Sequence, residues 1–500
     1  MSQSELLLGY DIGSSSVKAS ILDAASGRCL ASATSPAEEM KMDAPAPGWA
    51  EQHPDLWWEH VGRATATILA SEDISADAIK AIGISYQMHG LVVVDAAYNV
   101  LRPSIIWCDS RATEIGAQAF EELGESFCLQ HYLNSPGNFT ASKLKWVREN
   151  EPDIYARIHK IMLPGDYIAG KLTGEFITTV SGLSEGIMWD YLRQAPSDAL
   201  LDYYGISQAL LPEVRTGFGD HGRLSTKASA ELGLRAGTPV SYRAGDQPNN
   251  AFSLNVLEPG QAAATAGTSG VIYGVTDRPD YDPRSRVNTF VHVNHKPEQP
   301  RNGVLLCING TGILNSWLRG VLSSGKAVGY DAMNQMAASA PVGSDGLRVL
   351  PFGNGAERIL ENFNPGAAVK GLDFNRHGTG HLLRAAQEGI VFSLRYGLDI
   401  MKQMQMDIQT VRAGHANMFL SPLFREAFVQ TTGCVLDLCN TDGSQGAARG
   451  AGLGAGVYSR AEEAFEGLQV VRTMEPDAAQ ADRYEEAYRV WLTDLQQLNC

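Results

Sequence analysis

Leu6-Leu7-Leu8-Gly9-Tyr10-Asp11-Ile12-Gly13-Ser14-Ser15-Ser16-Val17-Lys18 reads as a short apolar strand, a turn of Gly and Ser, and the start of a second strand. Ala262-Ala263-Ala264-Thr265-Ala266-Gly267-Thr268-Ser269-Gly270-Val271-Ile272-Tyr273 repeats the device in the other half of the chain. Small residues at such turns let backbone N–H groups approach an anion closely. Two of them, one per half, suit a polyphosphate held between two lobes, and so a nucleotide enzyme with a cleft. The order of elements carries weight. A P-loop or a dinucleotide fold follows its Gly-rich turn with a helix, whereas here a strand follows.

Outward from the first turn, Leu6–Asp11, Val17–Asp23 and Cys29–Thr34 form an expected antiparallel meander, with Ala25-Ser26-Gly27 as a turn. A helix over Asp55–Ser71 and a strand over Ile79–Tyr86 follow, then strands at Leu91–Asp95 and Ile105–Cys108. Lys143–Asn150 and Pro152–His159 read as helices, and Pro239–Ala244 as a strand ending at Gly245-Asp246. The second hairpin restarts the pattern. Gly312–Leu322, a long His381–Gln405, Pro422–Thr432, a small-residue Gln445–Tyr458 and Asp482–Leu498 read as its helices. The expected domains are therefore residues 1–245 and 246–500, each opening on a β-hairpin and continuing in mixed α and β.

At 500 residues the chain is too long for one ordinary core. Its net charge of −16, from 40 basic and 56 acidic residues, argues against nucleic acid as a partner, because phosphate-backbone binding rests on a basic surface. Cys29, Cys108, Cys128, Cys307, Cys434, Cys439 and Cys500 are scattered with no C-x-x-C pair, which points to reduced thiols in the cytoplasm rather than to zinc. The sequence carries no recognisable signal peptide and no apolar run of membrane-spanning length, so no membrane partner is expected.

Asp11 closes the first strand just before the small-residue turn, where a carboxylate suits Mg²⁺ beside phosphates or simply caps its own loop. Asp246 follows a strand and a glycine at the expected lobe junction. Phosphoryl transfer needs a group there to accept a hydroxyl proton, and a buried carboxylate can do so; the plainer alternative is a helix N-cap before Gln247. Gln87-Met88-His89-Gly90 puts an amide and an imidazole at a strand's C-terminal end, the usual ligand position in α/β sheets. Gly414 offers a shelf for a nucleoside, while Gly446, Ala447, Ala448 and Gly450 allow a neighbouring helix to pack closely, with or without a ligand.

Several segments together resemble the FGGY carbohydrate kinases, and within them the xylulokinase members, over nearly the whole length. They are Gly9-Tyr10-Asp11-Ile12-Gly13-Ser14-Ser15, Gly48-Trp49-Ala50-Glu51-Gln52 with Trp57-Trp58, Gln87–Gly90, Trp107-Cys108-Asp109-Ser110-Arg111, Phe139-Thr140-Ala141-Ser142-Lys143-Leu144-Lys145-Trp146, Gly245-Asp246 and Gly267–Gly270. Three places depart from the usual pattern, the first being Asp11-Ile12-Gly13-Ser14 for Asp-Leu-Gly-Thr, which keeps a hydroxyl. Gln247 stands where xylulokinase-like sequences commonly carry Asn and looks more like glycerol kinases. Arg412-Ala413-Gly414-His415-Ala416-Asn417 replaces a glycine-richer adenosine motif.

The resemblance implies a two-domain actin/hexokinase-like (ribonuclease H-like) α/β fold with a duplicated β-meander and an interdomain ATP/sugar cleft. It implies ATP-dependent phosphorylation of a ketose, D-xylulose, in pentose catabolism, with ATP and Mg²⁺ as cofactors and a homodimer as one open assembly. Asp246 is then the general base and Asp11 helps to place Mg²⁺. Gln87, Met88, His89, Asp246 and Gln247 line the sugar. Gly13, Ser14, Ser15, Lys18, Gly267, Thr268, Ser269, Gly414, His415 and Asn417 hold the nucleotide. The alternatives are the same chemistry on ribulose, a sugar alcohol or glycerol, an ATP-driven chaperone or filament protein, and a catalytically dead sugar-binding regulator. The Gln87–Gly90 loop disfavours the chaperone reading, and the presence of both Asp11 and Asp246 disfavours the regulator.

Overall fold

The computed structural model describes residues 5–71, 74–323 and 328–498. The chain divides into two compact units. Unit 1 comprises Met1–Asn255, Phe290–Asn302 and Thr441–Leu468, and unit 2 comprises Val256–Thr289, Gly303–Asn440 and Gln469–Cys500. The helix Asp246–Ser253 packs within unit 1.

Unit 1 is built on a five-stranded sheet in the order Val240–Gly245, Ile79–Tyr86, Leu6–Ile12, Val17–Asp23, Cys29–Ser35. The first hairpin and the strand after it pair antiparallel, with Asp11 opposite Lys18. Ile79–Tyr86 and Val240–Gly245 then add in parallel on the other side of Leu6–Ile12. Alternation of side chains along Leu6–Ile12 gives each face of the sheet its helix. The Tyr10 hydroxyl lies 2.6 Å from Thr65 Oγ1 in the helix Pro54–Leu69. Its neighbour Gly9 faces the helix Gly443–Gly454, so closely that a Cβ there would fall 2.0 Å from the Ser444 carbonyl oxygen. Gly83 in the next strand meets the Ala447 carbonyl in the same way, also at 2.0 Å. The small-residue helix thus packs backbone to backbone on the parallel strands.

Unit 2 repeats the plan on a seven-stranded sheet in the order Asn288–Val291, Asn302–Ile308, Gly270–Thr276, Gln261–Ala266, Thr410–Gly414, Val435–Cys439, Val470–Met474. Its hairpin is antiparallel, and Thr410–Gly414 and Val435–Cys439 follow in parallel. Thr379–Gln403 and Ala478–Leu498 contribute Ile390, Phe392, Leu394, Tyr484, Tyr488 and Trp491 to its core.

Several elements differ from expectation. The strand expected at Ile105–Cys108 is only Ser104–Ile105, because the backbone then turns around the buried Asp109. The helix expected at Pro152–His159 stops at Tyr155. The small-residue helix begins at Gly443, capped by the Asp442 carboxylate, and ends at Gly454. Helices at Thr113–Leu123, Glu125–Tyr132 and Tyr330–Ala338 were not anticipated. Among the described residues the cysteines Cys29, Cys108, Cys128, Cys307, Cys434 and Cys439 are free thiols, and Cys500 lies outside them. No helix among the described residues is long and apolar enough to cross a membrane.

Candidate active site

Register decides which loops of unit 1 share an edge. Ile12 pairs with Tyr86, and Tyr86 with Gly245, so three neighbouring parallel strands end level. The residues that follow them are Gly13, Gln87 and Asp246. The first small-residue turn, the Gln87–Gly90 loop and Asp246 therefore emerge side by side, and the Gln87 N–H donates to the Ile12 carbonyl at 2.9 Å.

Asp246 is the first residue of the helix Asp246–Ser253, with Gly245 in the capping position. The N-cap alternative thus gives way to a residue inside the first turn. Desolvation, reinforced by the Asp11 charge, pushes the Asp246 carboxyl up to about 7, against hydrogen bonds from its own and the Gln247 N–H groups. Burial likewise raises Asp11, while Lys18 and the Ser85 hydroxyl, which donates to Asp11 Oδ1 at 2.9 Å, lower it. The Asp11 carboxylate also abuts the start of the Gly443–Gly454 helix. A Cβ on Gly443 would lie 2.5 Å from Asp11 Oδ2. Asn249 Nδ2 donates to the Gly443 carbonyl at 2.8 Å, which ties the helix bearing Asp246 to the same point.

The first turn is held from beneath. Gly13 N–H donates to the Ser16 carbonyl and Met40 N–H to the Ser15 carbonyl. Gln52 Nε2 donates to the Ser14 carbonyl at 2.7 Å, and Gln52 is itself fixed by the Trp57 indole N–H at 3.0 Å. Trp107 Nε1 donates to Ser14 Oγ at 3.3 Å. With the Ser14, Ser15 and Ser16 carbonyls each taken by a donor, the oxygens are committed inward, as an anion-binding turn requires.

The motifs around Gln52 and Trp107 prove to be one buried knot of charge. Asp109 accepts from Ala50 N at 2.6 Å and from the Arg111 guanidinium at 2.7 and 3.0 Å. Glu51 bonds Arg102 and Arg111. The Arg111 guanidinium lies 3.8 Å from the Trp49 ring centroid and 4.8 Å from that of Trp146. Through Gln52 and Trp107 this knot buttresses the first turn.

In the Gln87–Gly90 loop, Gln87 is buried with neither side-chain amide atom hydrogen-bonded within the protein. The Gln247 side-chain oxygen is also buried and unpaired. Buried amides without partners are costly unless a ligand completes them. Met88 packs against Gly245. His89 has a left-handed backbone (φ 61°), and its ring packs on Phe139 and Phe290 at 4.7 and 5.4 Å. Its Nδ1 lies 2.9 Å from the Glu185 carbonyl, which can only accept, so the proton of the neutral ring sits on Nδ1. Glu185 and Lys143, to which the sequence assigned no role, both border this loop.

In unit 2, the Gly267–Gly270 turn receives Gly312 N–H on the Gly267 carbonyl (2.8 Å) and Ile313 N–H on the Thr268 carbonyl (3.2 Å). It therefore abuts the N-terminus of the helix Gly312–Leu322. Gly312 permits that approach, since a Cβ there would fall 2.2 Å from the Gly267 carbonyl oxygen, and Gly310 is pressed as closely on the Pro351 carbonyl, at 1.4 Å. Gly310-Thr311-Gly312 is a third small-residue turn after a strand, visible in the sequence but given no role there. Asn417, which has a left-handed backbone, places its Nδ2 3.5 Å from the Cβ position of Gly267. The expected phosphate turn and the Gly414–Asn417 segment therefore meet within this unit. His415 is exposed, and its N–H donates to the Cys439 carbonyl at 3.0 Å.

Residues 6–253 match the FGGY family of carbohydrate kinases, N-terminal domain. The chain is 30% identical over 508 residues to the xylulose kinase of Escherichia coli (strain K12), covering 99% of both proteins. It is 28% identical to that of Haemophilus influenzae, over 99% of this chain and all of that one. The crystal structure of a xyloylose kinase from Brucella ovis superposes with a TM-score of 0.88 at 27% identity, covering 99% of each chain. The chain thus belongs to the FGGY family of carbohydrate kinases: it is an ATP-dependent sugar kinase with the two-domain, actin/hexokinase-like α/β fold.

Proposed function

We propose that the enzyme transfers the γ-phosphoryl group of ATP to O5 of D-xylulose, giving D-xylulose 5-phosphate and ADP in pentose catabolism. The observation that carries this is the level ending of three strands, which brings Asp11, Gln87–His89 and Asp246 to one edge. Its full-length relatives named xylulose kinase support the choice of sugar.

Asp246 accepts the proton of the sugar hydroxyl as its oxygen forms a bond to phosphorus and the bond from phosphorus to the ADP oxygen breaks. A carboxyl held at about 7 is half ionised near neutrality and a far stronger base than a solvated aspartate. Gln87, Met88, His89 and Gln247 line the sugar, where a polyol's hydroxyls complete the unpaired amide atoms of Gln87 and Gln247. Gly13, Ser14, Ser15 and Lys18 in unit 1, and Gly267, Thr268, Ser269, Gly414, His415 and Asn417 in unit 2, are the proposed nucleotide contacts.

Among the described residues no cluster of three or more His, Cys, Asp or Glu side chains could hold a metal ion. Mg²⁺ keeps phosphate oxygens and water as most of its ligands and takes one or two carboxylates. Asp11 is the proposed carboxylate, and the ion when bound neutralises charge on the transferring phosphates.

Sugar binding and the first phosphate turn are proposed for the unit formed mainly by residues 1–245, and the second turn and the adenosine site for the unit formed mainly by residues 246–500, with Thr441–Leu468 returning to the first. A cytoplasmic location and a homodimer belong to the same proposal. An ADP-release assay over ketoses, aldoses, polyols and glycerol tests the function. D-Xylulose should give the highest kcat/KM. A higher value for glycerol or a sugar alcohol overturns the substrate, and ATP turnover independent of any acceptor overturns the reading as a whole.

A further inference from the structure

His89 is held by its backbone from two sides. Lys143, with no exposed surface, donates from Nζ to the His89 carbonyl at 3.0 Å and to the Ile106 carbonyl at 2.9 Å. Glu185, 1% exposed at the end of the short helix Val180–Glu185, sits on the amide side, with Oε1 3.5 Å from the His89 N–H and its own carbonyl 2.9 Å from Nδ1. The same carboxyl presses on the residue before Asp246, because a Cβ at Gly245 would fall 2.5 Å from Glu185 Oε2.

We propose that Lys143 and Glu185 are a pair of positioning residues that fix the His89 peptide against Gly245-Asp246 and thereby set the enzyme's affinity for its sugar acceptor. A left-handed backbone at a residue bearing a Cβ is strained and persists only where its surroundings over-determine it. Here one buried group fixes the carbonyl and the other covers the amide. Without Lys143 the His89 carbonyl loses its donor, while the Ile106 carbonyl keeps the Asp109 N–H, and the His89 peptide is released to turn. The chemistry at Glu185 agrees with this passive role. Burial, and then the neighbouring Asp246, push its carboxyl well above the ordinary range, which favours the uncharged, hydrogen-bonding form.

This inference rests on the proposed sugar site, and the test separates the two. The full-length enzyme is assayed with whichever acceptor the wild type turns over fastest, so a wrong sugar shows in the wild type and a wrong clamp only in the variants. Lys143→Met and Glu185→Ala should each raise the acceptor KM about tenfold, corresponding to about 1.4 kcal/mol, and leave the ATP KM within about twofold. Glu185→Gln, which keeps the acceptor oxygen, should stay near wild type. Combined with His89→Ala, neither change should raise the acceptor KM further, because both act through that residue. An acceptor KM unchanged in Glu185→Ala, an equal rise in the ATP KM, or full additivity with His89→Ala would overturn the proposal. If Lys143→Met does not fold, the Glu185→Ala cycle decides alone.

Discussion

A carboxylate serves as a general base only where it is ionised, and Asp246, held at about 7, is ionised only toward neutral and alkaline pH. The kcat/KM for the acceptor should therefore fall on an acid limb near pH 7, measurable with a pH-independent ADP assay. A limb near pH 4 would remove Asp246 from the role. The same shift bears on stability. The folded-state pKa lies above that of the unfolded chain, so the protonated group favours the folded state fully below about pH 4, and this contribution is lost as pH rises through about 7. Asp246→Asn should accordingly raise Tm more at pH 8 than at pH 4, by the equivalent of about 1 kcal/mol once partial solvent screening is allowed for. His89→Ala should raise the sugar KM more than the ATP KM; an equal effect on both would take His89 out of the sugar site. At this scale the sequence singled out Asp11, His89 and Asp246 by motif and chemistry, and the level strand ends bring them to one edge. It was silent on Glu185, whose meaning lies in a contact with Gly245 far along the chain.

Between elements, glycine spacing governs how the site is built. Gly9 and Gly83 sit on adjacent strands and receive the carbonyls of Ser444 and Ala447, so the Gly443–Gly454 helix lies close enough to bring Gly443 against Asp11. Gly83→Ala would put a Cβ 2.0 Å from the Ala447 carbonyl oxygen. It should destabilise the enzyme by about 1–3 kcal/mol, seen as a lower Tm and urea midpoint; an unchanged midpoint would contradict the packing described here. The hairpins were legible because a short, largely buried strand resumes at once after each turn, at Val17 and at Gly270. The partner of the small-residue helix was not. Its composition announced close packing, but only the pairing of Leu6–Ile12 with Ile79–Tyr86 sets Gly9 and Gly83 side by side beneath it.

Across the whole molecule, the two units are not two consecutive lengths of chain. Thr441–Leu468 returns to unit 1 and carries the helix that covers its sheet. A fragment of residues 1–255 would leave Gly9 and Gly83 facing water, and should lack a cooperative thermal transition by circular dichroism. A sharp transition in that fragment would show that the returning segment is dispensable. The duplicated plan was readable from the two hairpins, whereas this return was not, since no local pattern encodes it. The account depends most on Asp246 as the proton acceptor. In Asp246→Asn, ADP affinity measured by calorimetry should match the wild type while kcat for D-xylulose falls by about 10²–10⁴-fold or more. A near wild-type kcat in that variant would contradict the account.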